Sequence, residues 1–509
     1  MRKYILLSVF FWIVAFCKAQ VTGIGTTSPD ASAALDITHT AKGLLIPRMA
    51  TARITAITSP AKGLLVYDSS RNQLMVNMGT PAAPNWQTIV AKSGWSLTGN
   101  GGTGGTNFIG TTDGRPLLFR INNQWAGKID SATNTVFLGY GSGAKDSGFT
   151  ENTGIGYKSL NSNTIGFWNT ANGSGALQNN QTGHSNTASG QDALVSNTTG
   201  SFNTANGFQA LHLNTSGAGN TANGQQALLL NTGSNNTANG YWALLSNQTG
   251  SDNTADGYSA LLTNETGTFN TASGDQALFG NTTGSFNTGV GTNALYNTTA
   301  SEYNTAVGYH AGSSYDNGYN NVFIGANPDV NGPDYYNVIA IGQGTIATGV
   351  SMAVFGNSAT VTYGGWAGWT NISDGRFKTD IKENVPGLAF ILNLRPVTYN
   401  LQARQLDAFI RNRNASVGTP DRLYQKALED KERITYSGFV AQEVDSAAAR
   451  LGYNFSGVDK PKNGNDYYSL RYGDFVTPLI KAVQELSTEH RDIQKEIDEL
   501  KASIKKQGK

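Results

Sequence analysis

The sequence predicts a mainly β protein: a repetitive parallel β-roll or solenoid of 17-residue coils, then a small α/β domain ending in a trimeric coiled-coil helix. Three observations predict it. Asn-Thr recurs at Asn152, Asn169, Asn186, Asn203, Asn220, Asn236, Asn253, Asn270, Asn287 and Asn304, in steps of 17 with a single step of 16, as a stacked repeat requires. Of the 71 charged residues, 41 follow Thr370, so the composition changes there from a repeat to an ordinary domain. Leu479, Val483, Leu486, His490, Ile493, Ile497, Leu500 and Ile504 then alternate steps of 4 and 3, which is a heptad seam.

At the amino terminus, Arg2 and Lys3 precede 13 mostly apolar residues, Tyr4 to Phe16, and Cys17-Lys18-Ala19 puts small residues where a signal peptidase reads. A signal peptide over 1–19, cleaved after Ala19, is expected. Such a run is too short to cross a bilayer core of about 30 Å, so no transmembrane segment is expected in the mature chain. Lipidation at Cys17 is the alternative, against which stands the bulky Phe16. Cys17 is the only cysteine, which excludes a disulfide framework, a Cys-rich metal site and a thiol nucleophile in the mature body.

Residues 20–95 carry short apolar runs punctuated by Gly and Pro, such as Gly43-Leu44-Leu45-Ile46-Pro47 and Gly63-Leu64-Leu65-Val66-Tyr67, and read as a short β-rich region. The pattern resembles the leader of exported Bacteroidetes surface and fibre proteins and implies no site residues. A Gly-rich linker and strand segment is expected over 96–133. Gly99, Gly101 and Gly104 formally satisfy G-x-G-x-x-G. A dinucleotide site needs a strand before and a helix after that motif, whereas Asn107-Phe108-Ile109-Gly110 starts another short strand.

The repeat region is placed at 134–370, with the unit N-T-A-x-G-x-x-A-L. Glycine supplies positive φ or close backbone approach. Asparagine tolerates left-handed turns and can pair with its counterpart one coil away. Alanine and leucine fill the interior. At about 3.3 Å per extended residue, one coil suits two short strands and two turns, with a helical turn over G-x-x-A-L left open because Ala and Leu favour helix. This style resembles the head repeats of YadA-like trimeric autotransporter adhesins, which implies a trimeric β-roll, although the period here is 17 and the family's membrane anchor does not follow.

Ser159 to Gly375 contains no lysine or arginine, so nucleic acid is excluded as a ligand of the repeat. His184, His212 and His310 sit at unrelated repeat offsets, so neither a metal nor a cofactor is expected. Asp192, Asp256 and Asp275 also differ in offset, and only paired carboxylates would suit a polysaccharide-cleaving enzyme.

Beyond the repeat stand Ser373-Asp374-Gly375-Arg376-Phe377-Lys378, Leu394-Arg395-Pro396-Val397-Thr398-Tyr399, Gly438-Phe439-Val440-Ala441-Gln442-Glu443-Val444 and Leu470-Arg471-Tyr472. Together these resemble the carboxyl-terminal intramolecular chaperone of phage endosialidases and tailspikes, a self-cleaving peptidase domain. The resemblance implies a chaperone domain over 371–475 and autoproteolysis by a Ser-Lys dyad, with Ser373 as nucleophile and Lys378 as its base. A lysine can act so only when burial or cationic neighbours lower its pKa, and Arg376 is the expected neighbour. Five helical residues would separate the two side chains, so Ser373 is expected as a helix cap with Lys378 inside the helix. The final helix, 476–509, has isoleucine at both kinds of seam position, which leans toward three strands.

The combined expectation is a secreted or cell-surface homotrimer, fibre-like or adhesin-like. Its terminal domain sets the register of the repetitive chains and then cuts itself free in a single turnover. A cell-surface glycan or host protein is the expected partner. A tailspike-like polysaccharide depolymerase and a passive structural stalk are the alternatives.

Overall fold

The computed structural model describes residues 21–89, 108–411 and 422–508, apart from 149, 315, 367 and 465. The expected signal peptide over 1–19, Cys17 and the glycines 99–104 lie outside the described residues. The chain divides into two units, Met1–Gly110 and Thr111–Lys509.

In the first unit, β1 (Thr22–Ile24) pairs in parallel with β2 (Leu35–Ile37). A four-stranded sheet follows, β3 (Arg48–Met49), β4 (Leu65–Asp68), β5 (Gln73–Asn77) and β6 (Trp86–Thr88), with the short helix α1 (Thr51–Thr55) after β3. Its small core is Ile54, Val66 and Met75, with Trp86 packed against it. The Asp68 carboxylate accepts from Thr51 Oγ1 at 2.6 Å and from the Ser70 and Arg71 amides, bonds that hold its pKa below the usual range.

The second unit is built on a 16-stranded sheet. A hairpin, β7 (Leu117–Ile121) and β8 (Gln124–Asp130), caps it and pairs antiparallel with β9 (Thr135–Leu138). All later strands of this sheet are parallel: β10 (Thr153–Ile155) to β19 (Thr305–Val307), one per coil, then β20 (Val322–Ile324), β22 (Ile339–Ile341) and β24 (Ala353–Phe355). A second pairing joins β21 (Asp329–Val330) to β23 (Ile346–Ala347). Register is exact to the repeat, as in Thr204↔Thr221, Ala205↔Ala222 and Asn206↔Asn223.

From β10 to β19 each coil forms one three-residue strand instead of the expected two, a second strand appearing only in the coils of β20 and β22, and the open question about G-x-x-A-L resolves as a turn. The reason is visible at leucine. Leu194, Leu211, Leu228, Leu244 and Leu261 all adopt φ near +52, a region that a helix cannot use and that L-residues enter only when packing compels it. Here it directs the side chain inward, where alanine and leucine columns form one continuous buried core from Phe137 to Phe323. The repeat glycines serve close approach: Gly207 has φ +139, and a Cβ there would lie 2.5 Å from the Gly224 carbonyl oxygen.

Two buried asparagine ladders satisfy the polar backbone inside each coil. In one, Asn220 Nδ2 donates to Gly233 O at 3.0 Å, and its backbone N–H donates to Asn203 Oδ1 at 3.0 Å. In the other, Asn214 Nδ2 donates to Asn197 Oδ1 at 3.1 Å and to Gly217 O at 3.0 Å. The second ladder was not anticipated, although its own 17-residue spacing in the sequence would have revealed it. Buried amides that meet all their partners fix one structure.

The α/β part comprises α2 (Leu388–Ile391), β25 (Val397–Asn400), α3 (Ala403–Arg411), α4 (Arg422–Glu432), β26 (Thr435–Gly438), α5 (Ala441–Arg450), the pair β27 (Val458–Asp459) and β28 (Ser469–Leu470), and α6 (Val476–Gln507). Its core is Phe390, Val444, Ala447, Ala448 and Phe455. It is fastened to the last coils: Thr348 Oγ1 donates to Asp466 at 2.9 Å, Lys431 Nζ to Thr360 O at 2.7 Å, and Ser358 bonds both Tyr424 Oη and Asp407.

Candidate active site

Among the described residues between β24 and α2, the regular structure is one 3₁₀ turn, Gly375–Phe377. Asp374 builds that turn: it is extended, and its carboxylate accepts the Arg376 amide N–H at 2.9 Å. The same carboxylate pairs with the Arg376 guanidinium at 2.6 Å, which holds its pKa below the usual carboxylate range. The turn folds the backbone so that Lys378 Nζ donates to Ser373 Oγ at 2.7 Å.

Three local expectations are corrected. Asp374 rather than Ser373 caps the turn, and Lys378 ends it instead of lying inside a helix. Arg376, expected to act on Lys378, is instead engaged with Asp374 and lies over the Phe377 ring at 5.7 Å.

Both dyad residues are exposed. Among the described residues, every hydrogen bond and ion pair of 371–382 is local. Around the dyad, Trp366, Trp369, Ile372, Phe377 and Ile381 are more than 70% exposed.

The other landmark motifs converge away from this turn. Arg395 grips Glu443 in a two-pronged pair, at 2.5 and 3.0 Å, joining the segment before β25 to α5. β25 pairs antiparallel with β26, and Tyr472 Oη accepts the Phe439 amide N–H at 3.2 Å. α6 is held at its start by α2, where Glu485 Oε2 accepts the Leu388 N–H at 2.7 Å. Further along, Leu486, Ile493, Ile497, Leu500 and Ile504 are exposed, as is His490.

His184 is sandwiched by Phe167 and Phe202, at ring distances of 4.7 and 4.8 Å. Among the described residues, no group of three or more His, Cys, Asp or Glu is placed to hold a metal ion, and no helix is long and apolar enough to cross a membrane.

Residues 373–453 match the family described as the chaperone of endosialidase, the match beginning at Ser373, and residues 23–103 match the phage tail like trimerisation region. No curated protein matches the chain. The matches support a trimeric, tail-fibre- or tailspike-like description, with an endosialidase-type chaperone region over 373–453. The match over 23–103 likens the β-rich amino-terminal region to a trimerisation region, a likeness that its residues alone did not reveal. The repeat lies outside both matches.

Proposed function

We propose that this chain is an exported homotrimeric fibre protein of the cell surface or surroundings, whose carboxyl-terminal domain directs assembly and then severs itself through Ser373 and Lys378. The observation that carries the reading is the 2.7 Å contact from Lys378 Nζ to Ser373 Oγ, in the segment where the chaperone match begins.

The chemistry requires Lys378 as a neutral amine. It takes the Ser373 hydroxyl proton while Oγ attacks the carbonyl carbon of an adjacent peptide bond, then returns that proton to the departing amine; water hydrolyses the resulting ester. An ammonium in water holds its proton at neutral pH, and desolvation loosens it. In the single chain the dyad is open to solvent. The exposed Trp366, Trp369, Ile372, Phe377 and Ile381 beside it supply a surface for partner copies to cover, which would dry the site. Cleavage is thereby tied to completed assembly.

The repeat explains why a chaperone is needed. Near-identical coils let three chains align in many registers, each nearly as good locally as the correct one. Clustering three carboxyl ends through the α6 seams fixes one alignment. Cutting afterward leaves a fibre whose persistence rests on slow unfolding. Export follows from the expected signal peptide over 1–19.

Intact-mass analysis of wild type beside Ser373→Ala and Lys378→Ala tests the reading. Wild type should release a carboxyl fragment of about 137 residues, counted from position 373 of 509, while both variants stay whole. A wild type that remains intact while trimeric would make the domain a permanent clamp and end the peptidase assignment.

A further inference from the structure

The solenoid ends against the carboxyl-terminal domain, and the contacts between them straddle position 373. β24 is the edge strand of the 16-stranded sheet, so its coil has no successor to complete it. A stack of coils needs a cap at such an end. At the opposite end the β7–β8 hairpin serves.

At this end the cap comes from α3, α4 and the loop between β27 and β28. Thr348 directly follows β23, is 1% exposed, and donates through Oγ1 to Asp466 at 2.9 Å. The Thr360 carbonyl accepts from Lys431 Nζ at 2.7 Å. Ala359 packs on a buried cluster of Ala403, Tyr424 and Leu428. Beside that cluster the Asp407 carboxylate, 6% exposed, accepts from Tyr424 Oη at 2.7 Å and from Arg411 Nε at 2.9 Å, both within the domain. It also accepts from Ser358 Oγ, which belongs to the end of the solenoid. A buried carboxylate is costly to leave short of donors, and this donor comes from the other side of the joint.

Thr348, Ser358, Ala359 and Thr360 precede Ser373, while all their partners follow it. The covalent connection is elsewhere. It runs through 361–372, where Trp366, Trp369 and Ile372 stand in solvent, and into the turn at Ser373, whose side chain bonds Lys378. A cut in that turn therefore breaks none of the contacts that seat the domain.

We propose that the domain stays seated on the last coils after the cut, as a noncovalent cap of the solenoid, so that cleavage and departure are separate events. The proposal rests on the cleavage reading for its setting, while the seat is already present in the uncut chain. Three domains joined in one homotrimer leave only together, which strengthens the hold without any new contact.

The test uses the full-length trimer with Ser373→Ala and a site-specific protease sequence inserted after the exposed Gly368, where an added side chain would meet nothing within 4 Å. Denaturing mass spectrometry reads the cut, and size-exclusion chromatography reads whether the fragment stays. After complete cutting the fragment should co-elute with the solenoid. Thr348→Val, Ser358→Ala and Lys431→Met together remove the bridging hydrogen bonds and leave Asp407 its partners within the domain. They should raise the fraction of fragment lost on dilution by about tenfold or more. Ala359→Arg, which drives a long charged side chain into the Ala403 cluster, should do the same. Each variant is compared with its own uncut form, which should remain trimeric with unchanged helix content. Loss of the fragment from the cut parent overturns the inference, and so does equal retention by both variants. Autocleavage is read separately, as the mass of wild type without the inserted site, so the two proposals fail independently.

Discussion

The solenoid and the carboxyl-terminal domain solve stability in opposite ways. In the solenoid every coil is completed by the coils beside it: Ala205, Leu211, Asn203 and Asn214 are all fully buried, and charge is nearly absent. In the carboxyl-terminal domain ion pairs such as Arg395–Glu443 and Arg404–Glu432 lie at the surface, while Ile372, Phe377, Leu486 and Ile493 stand in solvent. The first region closes its core within one chain, and on the proposed reading the second is completed by other copies. A stack of self-completing coils carries no instruction about which chain to join, and on that reading the carboxyl-terminal region supplies it.

The contrast breaks most completely at the seam. Leu486→Asp with Ile493→Asp places charges where the helices of three chains would meet, and should convert trimer to monomer in light scattering. It should also abolish the cleavage fragment although Ser373 and Lys378 are untouched. Cleavage in a monomer would separate the chemistry from assembly.

Within the solenoid, Phe323→Ala empties a fully buried site and should cost about 3–5 kcal/mol, read as a lowered melting temperature. The same change at the exposed Phe377 should leave melting of the solenoid unaltered. Asn220→Ala removes the donor to Gly233 O and the acceptor for the Asn236 amide. Each orphaned group should cost about 1–3 kcal/mol in denaturant unfolding.

A pH-dependent effect comes from Asp329. Burial pushes its carboxyl up from 3.8 to about 7, outweighing the hydrogen bonds from Ser314 and Val330 that favour the ionised form. Between those values the folded state holds a proton that the unfolded state has lost, so this contribution to stability falls as pH rises from about 4 to 7. Asp329→Asn should flatten the melting temperature over that window; an unchanged slope would mean that Asp329 stays ionised when folded. The smallest expected change is Thr204→Val on the outer face of the sheet, within about 0.5 kcal/mol.

Much of this was legible in the sequence because a stacked repeat converts spacing along the chain into neighbours in space. The 17-residue step predicted the column that joins Asn203 to Asn220, and the composition change after Thr370 predicted a different kind of domain. Local backbone chemistry was less legible. Nothing in N-T-A-x-G-x-x-A-L favours left-handed leucine over a helical turn, since Leu has good helix propensity; only packing into the shared core compels it. At the dyad, spacing suggested a helix with a serine cap, and the competing carboxylate of Asp374 took that position.

The sequence by itself determined the repeat period, the interior alanine and leucine columns, the break in composition and the heptad stripe, because each is a pattern along one dimension. Tertiary structure alone decided the Ser373–Lys378 contact distance, the strandless second half of the coils from β10 to β19, and the fastening of Thr348 to Asp466 across 118 positions. It also decided where the ladders end with unpaired atoms at Asn293, His310 and Ser313. Such features depend on which groups find partners after the chain has closed on itself, and no local preference encodes that.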